Sequence, residues 1–144
     1  GAAPLAPLMV RVLKDLGHER ALVFYGDDGL DELTTTGRSR VFELRDGRVS
    51  EYELDPQDLG LSRSRSEDLL GGTPPENADL LRQVFAGEKG PRRDVVLLNA
   101  AAAVLAAGRA DDWTQALTVA RESLDSGRAR QALDRLVQTS KTPS

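Results

Sequence analysis

Ala21 to Tyr25 is an unbroken apolar run with β-branched and aromatic members, closed by Gly26, and no other segment constrains the fold as much. Such a run reads as a strand covered on both faces, because a half-solvated strand would alternate apolar and polar side chains. Ahead of it, Leu5, Leu8, Met9, Val12, Leu13 and Leu16 recur at helical spacing, and Gly17 follows where a left-handed terminal residue is wanted. A helix leading into a buried strand makes an α/β layer.

Ser39 to Leu44 and Val49 to Leu54 flank Arg45-Asp46-Gly47-Arg48, whose Asp-Gly pair supplies the positive φ angles of a tight hairpin. Asp55-Pro56, Gly60 and the polar stretch from Arg63 to Asp68 then predict a connecting loop with at most a short helical turn, ending at Gly71-Gly72. Four helical segments follow. Thr73-Pro74-Pro75-Glu76 is a capping-box start for a helix with Ala78, Leu81, Val84 and Phe85 on one face. Val95 to Ala107 is apolar except at Asn99, and at 13 residues it reads as a buried central helix, well short of the roughly 20 that cross a bilayer. Asp112 and Gln115 offer a second capping box, before a stripe of Trp113, Ala116, Leu117, Ala120 and Leu124. Ala129, Ala132, Leu133, Leu136 and Val137 mark a final helix, and Thr139 to Ser144 reads as a polar tail. The expected fold is α/β, with one buried strand and one hairpin packed with about five helices. Three strands make an incomplete sheet, since the Ala21 to Tyr25 strand expects parallel neighbours that the chain does not supply.

Composition narrows the chemistry. At 144 residues the chain fits one domain, and its net charge of −4 argues against nucleic acid or an anionic membrane as partner. Cysteine is absent and His18 is the single histidine, so thiolate zinc sites and multi-histidine sites are excluded and any metal must sit on carboxylates. No signal peptide is expected, and Gly1 in place of Met suggests a piece of a longer chain. Asp27, Asp28, Asp31 and Glu32 crowd the segment directly after the strand. Ligands in open α/β folds collect outside the carboxyl ends of strands, and such acids can hold Mg²⁺ together with waters and substrate phosphates. A solvated turn accounts for the same spacing.

Trp113 reads as a packing residue, Asn99 as a bond to a neighbouring loop, Arg92 and Arg93 as solvated cations with a weak claim on a phosphate, and Thr34, Thr35 and Thr36 as leading into a strand.

The string from Arg20 through Gly26-Asp-Asp-Gly-Leu-Asp-Glu to Thr34, then Leu69-Leu-Gly-Gly-Thr-Pro-Pro-Glu-Asn-Ala78, then Gly87-Glu-Lys-Gly-Pro-Arg-Arg-Asp-Val-Val-Leu-Leu-Asn-Ala-Ala101 resembles anthranilate phosphoribosyltransferases, in that family's order. The resemblance covers Gly1 to about Val137 and implies the C-terminal part (residues 1–138) of a nucleoside phosphorylase/phosphoribosyltransferase catalytic domain. It further implies transfer of a phosphoribosyl group from phosphoribosyl pyrophosphate (PRPP) to anthranilate in tryptophan biosynthesis, with Mg²⁺, in a cytoplasmic homodimer. By the same match Asp31 and Glu32 hold the metal near the pyrophosphate, whereas Asp27 and Asp28 stay surface residues. A metal bridging the leaving pyrophosphate stabilises its charge and needs no protein nucleophile. Tyr25 stands where the family commonly has histidine, and the family's phosphate loop and anthranilate contacts lie upstream of Gly1. The chain alone is therefore expected to be inactive, and to self-associate through its open sheet. A pyrimidine nucleoside phosphorylase-like domain and a non-catalytic fragment are the competing readings.

Overall fold

The computed structural model describes residues 5–141. Helix α1 (Ala6–Asp15) leads into strand β1 (Arg20–Gly26), followed by β2 (Ser39–Arg45) and β3 (Arg48–Leu54). Two short 3₁₀ turns, Pro56–Leu59 and Ser66–Leu69, connect the sheet to α2 (Pro74–Phe85), α3 (Pro91–Ala106), α4 (Trp113–Asp125) and α5 (Arg128–Ser140). The sheet order is β1-β2-β3 and both pairings are antiparallel. The hairpin forms where the sequence places it: Asp46 has φ +51° and Gly47 φ +74°, and Arg45 pairs with Arg48.

β1 is covered on both faces, by two different clusters. Ala21, Val23 and Tyr25 join Ala6, Val10, Phe42 and Leu44 beneath α1. Leu22 and Phe24 face the main core, where Leu33, Val41, Leu54, Leu97, Leu98, Leu105 and Leu117 meet. Its only strand partner among the described residues is antiparallel β2, so its other edge is open.

Several sequence expectations are corrected. On α1 the buried positions are Ala6 and Val10, whereas Leu16 is 71% and Leu8 59% exposed, and Leu5, Met9 and Val12 lie on the same outward flank. The helix carries two apolar faces, and the small Ala6 and Val10 let it approach the sheet more closely than leucines would. α3 is buried along one side only, since Ala103, Ala106 and Ala107 are exposed. α2 buries Val84 alone and α5 buries no residue fully. α5 also runs through Ser140, into the stretch read as tail, and residues 142–144 lie outside the described part.

The cap predictions hold in part. Glu76 Oε2 accepts from Thr73 N at 2.7 Å and from its hydroxyl at 2.6 Å. Asp112 Oδ1 accepts from Gln115 N at 2.8 Å, but the Gln115 side chain accepts from Asp111 N instead of returning to Asp112. Trp113 is a packing residue with a polar handle: its indole donates to Tyr52 OH at 2.9 Å, and that hydroxyl donates to Glu43 Oε2 at 2.8 Å. Burial, with the Glu43 carboxylate beside it, pushes the Tyr52 phenol well above its ordinary range.

Candidate metal-binding loop

Residues 27–38 join β1 to β2, and their base is closed where Asp27 N donates to Arg38 O at 2.9 Å. Gly26 N reaches forward to Leu30 O, also at 2.9 Å, which folds the acidic segment into a tight turn just past the carboxyl end of β1. Gly26 has a steric reason to be glycine: a Cβ there would run into Asp28 Oδ1 and lie 3.0 Å from Thr34 Cγ2.

Asp28 is exposed, and its carboxylate organises the turn. Its Oδ2 accepts from Thr34 Oγ1 at 2.5 Å and Thr36 Oγ1 at 2.7 Å, and its Oδ1 accepts from Leu30 N at 3.1 Å. Partial burial pushes this carboxyl up, but the bonds from Thr34, Thr36 and Leu30 together outweigh it and hold Asp28 below the ordinary aspartate range. Thr34, Thr35 and Thr36 therefore close a loop and do not lead into a strand; β2 starts at Ser39. Ser39 Oγ accepts from Thr34 N at 3.1 Å, and the Thr35 and Ser64 hydroxyls bond to each other.

A folded pKa depressed below the unfolded value contributes stability above the unfolded pKa and loses it as pH falls through the folded one. Asp28→Asn is expected to cost about 1 kcal/mol at neutral pH, modest because the turn faces solvent. Denaturant titrations should show the gap between variant and wild type closing as the pH falls through the acid range, since the wild-type carboxylate is then protonated too.

Asp31 and Glu32 are exposed at the outer end of this turn, and neither carboxylate has a hydrogen bond or ion pair among the described residues. Immediately after them the chain dives inward, with Leu33, Thr34 and Thr35 at 0–1% exposure. Among the described residues no group of three or more histidine, cysteine or acidic side chains forms a ready metal cage. Two adjacent carboxylates are nevertheless the donor set that suits Mg²⁺, a hard cation that keeps most of its waters and shares substrate phosphates. Asp28 is not available to that set, because its oxygens are occupied by the turn.

The two arginines with a weak claim on a phosphate are engaged elsewhere. Arg92 donates to Leu70 O at 3.1 Å. Arg93, expected to be solvated, is 9% exposed and donates to Asp125 Oδ1 at 2.6 Å, tying α3 to α4. Sequence reasoning missed it because charge and position at a helix start predict solvation, and only the packing of α4 overrides that.

The model of the glycosyl transferase family, a/b domain, matches residues 2–130, and the chain belongs to that family. Within it, the relatives are anthranilate phosphoribosyltransferases. The chain is 45% identical over 130 residues to the enzyme of Methanobrevibacter smithii, covering 90% of this chain and 39% of that protein. It is 50% identical over 132 residues to anthranilate phosphoribosyltransferase 2 of Streptomyces coelicolor, covering 92% and 39%. Among solved structures, the anthranilate phosphoribosyltransferase of Thermus thermophilus superposes with a TM-score of 0.83 at 40% identity, over 94% of this chain and 40% of that one. The Saccharomyces cerevisiae enzyme in complex with PRPP and Mg gives a TM-score of 0.80 at 25% identity, over 90% and 38%. The chain thus spans about two-fifths of the length of the relatives it matches. No helix among the described residues is long and apolar enough to cross a membrane.

Proposed function

We propose that this chain is the C-terminal portion, residues 1–138, of the catalytic domain of a Mg²⁺-dependent transferase that moves the phosphoribosyl group of PRPP onto the amino group of anthranilate, a step of tryptophan biosynthesis. The carrying observation is the pair Asp31 and Glu32, without a hydrogen bond or ion pair among the described residues on a turn anchored on both sides, in a chain whose relatives are anthranilate phosphoribosyltransferases. Bound Mg²⁺ supplies positive charge that neutralises the departing pyrophosphate. The work of this chain is then electrostatic and positional: Asp31 and Glu32 hold the ion outside the end of β1, and Asp28, Leu33 and the threonines keep those carboxylates from drifting.

The cytoplasmic placement and homodimeric state of the whole protein rest on the same resemblance. The outward apolar flank of α1 and the open edge of β1 support association of this chain with a further partner surface, including a second copy. A phosphorylase-like reading has no observation in its favour that the transferase lacks.

The experiment is direct. The full-length protein, given PRPP, anthranilate and Mg²⁺, should consume anthranilate, followed by its fluorescence, and release pyrophosphate. The 144-residue chain alone should not. Full-length protein that leaves anthranilate untouched while cleaving a nucleoside with phosphate would replace this reading with the phosphorylase one.

A further inference from the structure

Asn99 is the one polar residue between Val95 and Ala107 in α3, and its amide is spent on a single distant residue. Its Nδ2 donates to Leu33 O at 2.8 Å and its Oδ1 accepts from Leu33 N at 3.0 Å, while the second Nδ2 hydrogen reaches Val95 O at 3.0 Å within its own helix. The side chain therefore pairs with Leu33 as a neighbouring strand would, satisfying both backbone groups at once. Leu33 is also anchored by its side chain, fully buried in the main core. On the other side of the acidic pair, Leu30 is held through both its amide and its carbonyl, by Asp28 Oδ1 and Gly26 N. Asp31 and Glu32 are thus the only residues between two doubly bonded posts, and one of those posts belongs to α3.

From this we infer that Asn99 is a positioning residue for the acidic pair: by clamping Leu33 it fixes where the Asp31 and Glu32 carboxylates stand, and so how well they hold a divalent cation. The inference rests on the metal reading of that pair and adds the element that sets its geometry. Asn99 itself touches neither metal nor substrate. Partners that orient metal ligands commonly change affinity by about 10- to 100-fold when removed, and a clamp acting through the backbone belongs at the lower end of that range.

The test uses the 144-residue chain and Mn²⁺ as the probe. Paramagnetic broadening of the Asp31 and Glu32 amide resonances gives an apparent dissociation constant, and amide hydrogen exchange at Leu33 reports the clamp. Asn99→Ala should raise that constant about tenfold and speed Leu33 exchange by a similar factor. Asn99→Leu, which fills the space but cannot pair, should do the same and covers the case in which the alanine variant does not fold. Leu44→Ala, destabilised in the separate cluster beneath α1, should leave the Mn²⁺ constant within about twofold.

Unchanged Leu33 exchange or an unchanged Mn²⁺ constant in folded Asn99 variants would overturn the proposal. So would an equal loss of affinity in Leu44→Ala, which would make the effect one of general stability. Wild-type chain with no broadening at Asp31 and Glu32 would instead refute the metal reading and the positioning role with it, even if Leu33 exchange still revealed the clamp.

Discussion

Asp31→Asn combined with Glu32→Gln in the full-length protein is expected to lower kcat/KM by about a hundredfold or more at millimolar Mg²⁺, which corresponds to about 2.7 kcal/mol of lost transition-state stabilisation. The two substitutions keep size, remove the charge and exchange one acceptor oxygen of each carboxylate for an NH₂ donor. Neither side chain has a hydrogen bond or ion pair among the described residues, so folding stability should be untouched. The loss should appear mainly as weakened metal dependence: raising Mg²⁺ should recover part of the rate, because PRPP can carry the ion in through its own phosphates. Initial rates across a Mg²⁺ titration, with circular dichroism as the fold control, decide it. An apparent metal affinity equal to that of wild type would remove Asp31 and Glu32 from the site.

Leu33→Ala should give the largest loss of stability among substitutions near the turn, about 3 to 4 kcal/mol. Leu33 is fully buried in the main core that also holds Val41, Leu97 and Leu98, and its backbone is clamped, so the vacated space cannot collapse easily. That is a large part of the roughly 5 to 15 kcal/mol that holds a domain together. Equilibrium unfolding in urea should show the shift as a lower midpoint with little change in slope. The same substitution should weaken Mn²⁺ binding at the neighbouring carboxylates, whereas Leu44→Ala, buried at 1% exposure in the separate cluster beneath α1, should lower stability without that second effect. Equal Mn²⁺ affinity in both variants would separate the core from the turn.

The elements legible in the sequence are those whose signals are local. The Asp46-Gly47 turn reads correctly because its positive φ angles are a property of two adjacent residues. The Thr73 to Glu76 cap is likewise complete within one helical turn. β1 reads as covered on both faces because its apolar run is unbroken, and the structure packs α1 on one face and α3 on the other, with Leu22 to Tyr25 partly buried. The acidic pair is different: Asp27-Asp28 is adjacent as well, and only the resemblance singles out Asp31 and Glu32.

What needed the tertiary structure was the choice among partners. α1 carries leucines on one flank and Ala6 with Val10 on the other, and periodicity marks both as apolar without saying which meets a sheet. Arg93 is buried because α4 brings Asp125 to it, 32 residues further along the chain. The resemblance sets Asp28 apart from Asp31 without saying what Asp28 does; in the fold its carboxylate is spent on Thr34 and Thr36, while Asp31 has no hydrogen bond or ion pair among the described residues. Asn99 finds Leu33 across 66 residues. A side chain's spacing records its direction relative to its own backbone, so the sequence by itself determined the elements and the hairpin. Which groups satisfy one another at long range depends on close packing and on pairing every buried donor and acceptor, and those conditions exist only once α3 and the sheet are brought together.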